Sequence, residues 1–455
     1  MARNGEAGQH VCQTEKSEGD HRMQAGRFRH VPVLVLTLFV LCTLEADADV
    51  SVGDVVDKTN WRKVEGLLPD SVLNWVKKGD FILTISKLNY DPNDIWQEAV
   101  RRSLEINKGK YRLENGLIVE ATTGNTPEHI VGLPFPEVDL NDPTAALMLM
   151  YNRMCYAYTL GNNYFPMTAI WVGRSGYERE VQAAFISYPM IGSDESTLED
   201  NSDRVEKFSI VQVLAPYDIA GTNILTWRYL DDRQDLSYGF VPAIRRVRRM
   251  SPANRSDAFI GTDMCVDDGY GYDGKISAVE WAPVKRVTAV VPFLDENPQA
   301  LAQTKRGEWA STGAIKDVVY GYQKEGWQGA PWAPTNLPWV KRDVLILEFK
   351  PKDPYYNYGT QQLWIDAEVP YLVFYKIIHD RAGSYWKTIL LGGLTELESP
   401  DKKVRFLQGG FYAAVDDRYD HATILRGLSP ESIAVYFAKM DRNMFSLAGF
   451  QKLCK

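Results

Sequence analysis

Apolar residues recur at helical spacing in the first part of the chain beyond residue 50. The pattern predicts two short helices that Pro69 separates, with Asp70 as the cap of the second. Residues 92–106 and 143–156 predict two more amphipathic helices, the latter with Pro143 in its first turn. The apolar positions of the first two helices are Val56, Trp61, Val64, Leu67 and Leu68, then Val72, Leu73, Trp75 and Val76.

The pattern changes at about residue 165, where short runs of β-branched and aromatic residues alternate with polar ones between turns. Regular short strands of this kind predict one large antiparallel sheet, strongly curved or closed into a partial barrel, with the helices at 95–106 and 143–156 on one face. Residues 430–440 suit a final helix or strand. The predicted strands are 207–214, 223–230, 286–292, 343–349, 361–366, 371–378, 385–391 and 404–415.

These patterns predict an α+β fold. No linker divides the chain, so we expect a single domain over residues 49–455, mostly helical over 49–160 and mostly a β half-barrel over 161–455.

The N-terminus carries an apolar run at residues 31–44, with basic residues before it and an Ala-Asp-Ala sequence ending at Ala48 after it. This order is typical of a secretory signal peptide, so we expect residues 1–48 to be removed and the protein to be exported. An uncleaved anchor is disfavoured because about 20 apolar residues are needed to span a bilayer. A lipid anchor at Cys42 is disfavoured because a large residue precedes it, and Met23 is an alternative start.

Composition excludes some functions. The chain is 45% hydrophobic and 12% aromatic, enough for a large core, and its net charge of −8 argues against a nucleic-acid partner. Cys155, Cys265 and Cys454 remain after cleavage, and an oxidising compartment allows a disulfide between Cys155 and Cys265. Motifs for a phosphate loop, a zinc-protease helix, a nucleophile elbow or a dinucleotide site are absent from the sequence. We therefore expect a non-enzymatic protein without a cofactor or metal.

Two charged segments are candidates for chemistry. The acidic stretch 263–273 suits a hydrogen-bonded turn better than a calcium loop, because its spacing does not match an EF-hand. The basic stretch 245–249, RRVRR, predicts a strand with Arg246 and Arg248 on one face and Arg245, Val247 and Arg249 on the other. One set can pair with the aspartates and the other can bind an anionic headgroup, because guanidinium binds carboxylate and phosphate in a bidentate way. Structural salt bridges are the favoured interpretation.

Aromatic residues on the predicted strands can enclose an apolar pocket, although most such residues belong to ordinary cores. The candidate ligand contacts, with Arg246 and Arg248 at the headgroup, are Trp227, Tyr229, Phe240, Trp281, Trp364, Tyr371 and Phe374.

Several segments together resemble the domain of unknown function 1329 family. They are GLPFP at 132–136, DLNDPTAALMLMYN at 139–152, WRYLDDRQDLSYGFVPAIRRVRR at 227–249, GTDMCVDDGYGYDGK at 261–275 and LWIDAEVPYLVFYKIIHDRAGSYWKT at 363–388. Two features depart from the family pattern: the long N-terminal extension and the cysteines at 155 and 265.

The resemblance implies a fold like that of the LolA and LolB lipoprotein carriers: a curved antiparallel half-barrel whose apolar concave face is covered by helices. It also implies a Gram-negative periplasm and partners among transporters of the resistance-nodulation-division (RND) type or outer-membrane proteins. We therefore expect a carrier for a lipid or other hydrophobic molecule, with peripheral membrane contact. The alternatives are an accessory structural subunit of an envelope complex and a secreted hydrolase that uses the aspartates with His379 or His421; an outer-membrane barrel fits badly.

Overall fold

The computed structural model describes residues 50–88, 96–293, 299–312, 317–369, 372–392, 395–427 and 433–454. The chain divides into two units, residues 1–46 and 47–455, and the described residues all belong to the second. The predicted signal peptide, the start of the helix predicted at 92–106 and the candidate residue Tyr371 lie outside the described residues.

Strands dominate the described residues. The α-helices are α1 (Asp70–Lys78), α2 (Glu98–Ile106), α3 (Ala145–Tyr158) and α4 (Leu447–Leu453), and short 3-10 helices occur at Trp61–Val64, Glu195–Leu198, Pro252–Ser256, Phe259–Gly261, Val266–Gly271, Ile276–Ala278, Gly321–Gln323 and Arg442–Phe445. The strands are β1 (Val55–Val56), β2 (Leu83–Ser86), β3 (Tyr111–Glu114), β4 (Leu117–Glu120), β5 (Asn163–Gly173), β6 (Gly176–Pro189), β7 (Val205–Ala215), β8 (Asn223–Tyr229), β9 (Leu236–Val241), β10 (Arg246–Met250), β11 (Val279–Trp281), β12 (Lys285–Pro292), β13 (Gln299–Gln303), β14 (Trp309–Ser311), β15 (Pro338–Pro351), β16 (Tyr358–Asp366), β17 (Val373–Asp380), β18 (Tyr385–Gly392), β19 (Thr395–Glu398), β20 (Arg405–Gln408), β21 (Phe411–Asp416), β22 (His421–Arg426) and β23 (Val435–Tyr436).

One long sheet runs through the domain in the spatial order β10, β9, β8, β7, β6, β5, β22, β21, β18, β17, β16, β15 and β12, with every neighbouring pair antiparallel. Smaller strands extend it: β2 lies parallel to the start of β15, and β23 joins β5 to β14. Most neighbours in the sheet are also neighbours in the chain, because hairpins connect antiparallel strands with short turns. The prediction of an α+β fold with a large antiparallel sheet is confirmed.

The two faces of this sheet are covered by different parts of the chain. On the inner face, α3 packs with Leu345, Leu363 and Ile389 in one apolar cluster. Residues 252–278, which we call the inner segment, also lie on this face and contact both β7 and β17, six strand steps apart, so the sheet curves around them. On the outer face, α1 packs near β18, where Ser71 Oγ lies 2.7 Å from Thr388 Oγ1. Side chains alternate between the two faces along each strand.

All eight predicted strands are present in the structure, the last of them divided into β20 and β21. The helix predicted before Pro69 was wrong: Val55–Val56 pair with β2 instead, and only a 3-10 turn follows. Asp70 is the first residue of α1, but its side chain forms no cap hydrogen bond. The described part of 430–440 contains the two-residue strand β23. The β5–β6 hairpin and α4 were not singled out from the sequence.

Candidate functional site

The β5–β6 hairpin supplies much of an apolar inner surface. Its turn ends at Gly176, whose φ of 111° favours glycine, and the two strands then pair over their whole length. Phe165 pairs with Phe185 and Met167 with Ala183, so these side chains share one face. The same face continues across β7 and β8.

A cavity lies between the inner face of β5–β8 and the inner segment, and we call it the main cavity. Its volume is about 130 Å³, close to the roughly 150 Å³ of an engineered apolar cavity that stays dry and binds benzene. Apolar side chains make up most of its wall. The lining includes Phe165, Met167, Ala169, Trp171, Val181, Ala183, Phe185, Val211, Ile224, Phe259, Ile260, Met264, Tyr270 and Leu425.

Buried ion pairs fasten the end of the inner segment to β7 and β8. The Asp273 carboxylate accepts hydrogen bonds from Lys207 Nζ at 2.5 Å and from Arg228 Nη1 at 3.2 Å. The same guanidinium also donates to Asp235 at 2.8 Å. These four side chains are at most 9% exposed, so this network replaces water as the partner of each charge.

A second set of ion pairs holds the middle of the inner segment. Lys376 Nζ of β17 lies 2.6 Å from Asp268 Oδ1, and both residues are 0% exposed. Within the inner segment, Arg255 pairs with Asp267. The acidic stretch, for which the sequence favoured a hydrogen-bonded turn, is therefore a structural clamp made of buried ion pairs. Its partners are buried cations of the strands and of the segment itself, and not the RRVRR stretch.

The pKa values of these carboxyl groups record the balance between burial and neighbouring charge. Burial acts to raise the pKa of Asp273, but Lys207, Arg228 and Arg255 outweigh it and lower the pKa to about 2. Burial also acts to raise the pKa of Asp268. The charge of Lys376 outweighs this effect, so the pKa of Asp268 is lowered. Both groups are therefore held in the charged form in the folded protein.

We expect stability to fall steeply in acid because of Asp273. Its folded pKa of about 2 lies below the ordinary 3.8, so its contribution is complete above pH 3.8 and is lost as pH falls towards 2. Ionised Asp273 contributes about 2 kcal/mol to the free energy of unfolding. Urea unfolding midpoints measured between pH 6 and pH 2 test this. The Asp273→Asn variant should be less stable at pH 6 yet decline less below pH 4, and parallel pH profiles for the two proteins would contradict the assignment.

A groove borders the main cavity on the side of the edge strand β10, and we call it the mouth groove. It has a volume of about 440 Å³ and shares Ile224, Phe259, Ile260 and Val266 with the main cavity. Arg246 and Arg248 line it, as does Arg249. The side chains of Arg246 and Arg248 are exposed and pair with no carboxylate among the described residues. The mouth groove is therefore positively charged.

A smaller chamber of about 100 Å³ adjoins the main cavity on the other side, and we call it the inner chamber. The two spaces share Phe165, Tyr270, Gln408 and Tyr412 as wall. Helix α3 contributes Arg153, which is 5% exposed. The inner chamber thus places one cation inside an otherwise mostly apolar enclosure.

The structure places the predicted aromatic contacts mostly away from the main cavity. Trp227 and Tyr229 are on the outer face of β8, where Trp227 Nε1 donates to the Phe445 carbonyl at 2.7 Å. Phe240 packs with them and also borders the mouth groove. The reason is strand alternation, because Ile224, Thr226 and Arg228 of β8 face inward and the residues between them face outward.

The remaining predicted contacts are also distributed elsewhere. Trp281 packs against Phe349, with ring centroids 4.9 Å apart. Phe374 is 0% exposed in the core. Trp364 lines an outer-face groove of about 740 Å³ beneath α1. Of the predicted ligand contacts that the structure describes, Phe240, Arg246 and Arg248 line the mouth groove, and none lines the main cavity.

Cys155 and Cys265 are free, buried thiols in the structure, so the suggested disulfide is not formed there. Both side chains pack within the same apolar cluster, where a thiol behaves as a small apolar group. Burial raises the pKa of both thiols.

The histidines considered for a hydrolase have structural contacts. His421 Nδ1 lies 2.7 Å from Asp263 Oδ2, and Thr423 donates to that same oxygen and not to the imidazole. His379 lines the outer-face groove together with Asp417, whose carboxylate accepts hydrogen bonds from Trp75 and Tyr385. No hydroxyl or thiol nucleophile donating to a histidine is found among these contacts. The residues that the structure describes contain no group of three or more His, Cys, Asp or Glu arranged to hold a metal ion.

None of the described helices is both long and apolar enough to cross a membrane.

Comparison with known proteins gives the chain a family. The solved structures that resemble it include a domain assigned to outer membrane lipoprotein sorting from Vibrio parahaemolyticus (16% identity, TM-score 0.44, 68% of this chain and 97% of that one). A DUF1329 family protein from Desulfovibrio piger (14%, 0.44, 68% and 99%) and a LolA superfamily protein from Nitrosomonas europaea (10%, 0.39, 67% and 98%) are also similar. No curated protein matches the sequence. The pattern of the family described as protein of unknown function (DUF1329) matches residues 55–425, and the chain therefore belongs to the DUF1329 family.

Proposed function

We propose that this protein is a non-enzymatic carrier that binds a lipid or another hydrophobic molecule in the main cavity. The observation that carries the proposal is a cavity of about 130 Å³ with a mostly apolar wall, which shares wall residues with an exposed groove. Each methylene group moved from water into such a space gains about 0.8 kcal/mol. A stretch of about four methylene groups in this space therefore contributes about 3 kcal/mol to binding.

The inner segment gives the cavity a firm wall. Its buried ion pairs to β7, β8 and β17 oppose its displacement, because separating a buried pair leaves uncompensated charge. A ligand is therefore expected to enter through the mouth groove, past Phe259 and Ile260, while the clamp stays closed. We propose Arg246 and Arg248 as the residues that attract anionic headgroups to this opening.

The carrier is proposed to act in the periplasm in an envelope transport system, with an RND-type transporter or an outer-membrane protein as partner. The apolar run at residues 31–44 followed by Ala48 supports export. A carrier must also release its ligand, so the partner must offer it a site of comparable or higher affinity.

Native mass spectrometry of protein purified gently from the periplasm, together with lipid extraction, tests the proposal. We expect a co-purifying hydrophobic molecule at a defined stoichiometry. A ligand-free mass, combined with no uptake of fluorescent lipid analogues, would contradict the proposal and favour an accessory structural subunit that docks on an envelope complex.

A further inference from the structure

The inner chamber contains a charge that the protein itself does not neutralise. Arg153 lies on α3, is 5% exposed, and forms no ion pair with any carboxylate of the described residues. Its Nε has no hydrogen-bond partner, and its one hydrogen bond is a long one, 3.4 Å from Nη1 to the Tyr272 carbonyl. Buried guanidinium groups elsewhere in this protein have carboxylate partners, as Arg228 and Arg255 show.

Neighbouring carboxylates do not provide the missing partner. Asp273 contributes to the electrostatic environment of Arg153, but its carboxylate is already bound by Lys207 and Arg228. Burial lowers the pKa of Arg153, yet an arginine side chain remains charged in proteins. An unpaired buried charge costs several kcal/mol. Such a cost is offset when a ligand brings the opposite charge.

We propose that Arg153 binds the anionic head, a carboxylate or a phosphate, of a single-chain amphiphile whose apolar tail runs through the main cavity towards the mouth groove. The inference rests on the proposed function and deepens it by naming the ligand class. Phe165, Tyr270 and Tyr412 line both spaces and so form the boundary between them. The proposed molecule extends across this boundary, with its head in the inner chamber and its tail on the side of the main cavity. Guanidinium suits this role because it binds planar oxyanions with two parallel hydrogen bonds.

The arginines of the mouth groove cannot supply this selectivity. Arg246 and Arg248 are exposed, so solvent and salt screen their attraction for anions. Arg153 is shielded from water, where a charge-assisted hydrogen bond is stronger. The outer arginines therefore concentrate anionic amphiphiles at the opening, and Arg153 selects among the molecules that enter.

The test compares two fluorescent probes that differ only in charge, cis-parinaric acid and its methyl ester, on delipidated protein. We expect the acid to bind at least about tenfold more tightly at neutral pH. This preference should disappear in Arg153→Met and persist in part in Arg153→Lys. Displacement of the bound acid by hexadecanoate and by hexadecyl phosphate then shows whether the natural head is a carboxylate or a phosphate.

A stability measurement separates ligand selection from a structural role. Because Arg153 is unpaired without ligand, Arg153→Met should leave the thermal midpoint of the delipidated protein unchanged or raise it. A lower midpoint would show that the guanidinium stabilises the fold, and would overturn the inference. Equal affinity of the wild-type protein for acid and ester would also overturn it while leaving the carrier proposal intact. Binding of neither probe would contradict the carrier proposal itself.

Discussion

The Asp268→Asn variant is expected to lose about 3–5 kcal/mol of unfolding free energy, because it leaves a buried ammonium group without a counter-charge. Asp268 and Lys376 are both 0% exposed, and Lys376 has no other carboxylate within ion-pair distance among the described residues. The carboxylate also accepts from the Cys265 backbone N–H at 2.8 Å and from the Tyr358 hydroxyl at 2.9 Å. The asparagine amide has only one acceptor oxygen. In one orientation its NH₂ group therefore faces Lys376, and in the other it faces the Cys265 N–H and the Tyr358 hydroxyl.

Urea unfolding at pH 7 measures this loss. The matched control is Asp194→Asn, which breaks an ion pair with Arg102 of similar length, 2.6 Å, but with side chains 48% and 61% exposed. This exposed pair should contribute less than about 1 kcal/mol. Similar losses in the two variants would show that the clamp on the inner segment does not depend on burial.

The Ala183→Phe variant is expected to abolish ligand uptake. Ala183 is 4% exposed on β6 and lines the main cavity, so an added ring occupies the space proposed for the ligand. Displacing about four methylene groups loses about 3 kcal/mol, which is an affinity decrease of about 100-fold. Overpacking itself is expected to cost about 1–3 kcal/mol of stability if the cavity does not accept the ring fully.

Uptake of cis-parinaric acid by delipidated protein measures the effect. Gln182→Phe is the matched control, because it adds a similar ring at the neighbouring, exposed position on the outer face of the same strand. The control should bind the probe as the wild-type protein does. Undiminished uptake by Ala183→Phe would place the ligand outside the main cavity.

The sequence pattern predicts most of the long strands of the sheet, but it does not predict which side chains line the inner surface of that sheet. Strands such as β15 and β17 are dense in β-branched and aromatic residues, so their local pattern predicts them directly. The hairpin β5–β6 carries Pro166 and the charged run Glu178–Glu180, which weaken that pattern even though these are among the longest strands. Two of the four strands that build the main cavity, β5 and β6, were therefore missed, whereas β7 and β8 were predicted.

The candidate site depended on distant pairings that no local pattern reveals. Trp227 and Ile224 are both apolar and lie on one strand, and only the placement of the inner segment decides which of them faces the cavity. Arg153 follows a segment that carries the family resemblance, but its lack of a partner is a property of the folded surroundings. The one indication in the sequence that Arg153 is unusual is its position within the apolar run 145–158, because arginine is rarely buried.

The basic strand β10 also bears on how copies of this protein behave towards each other. Among the described strands it pairs with β9 alone, so its other edge presents unpaired backbone groups that can template a further strand. Two such edges would bring Arg246, Arg248 and Arg249 of each copy side by side, and like charges across a strand pair repel. The same arginines that make the opening attractive to anions thus protect the sheet from edge-to-edge polymerisation, a protection that high salt weakens.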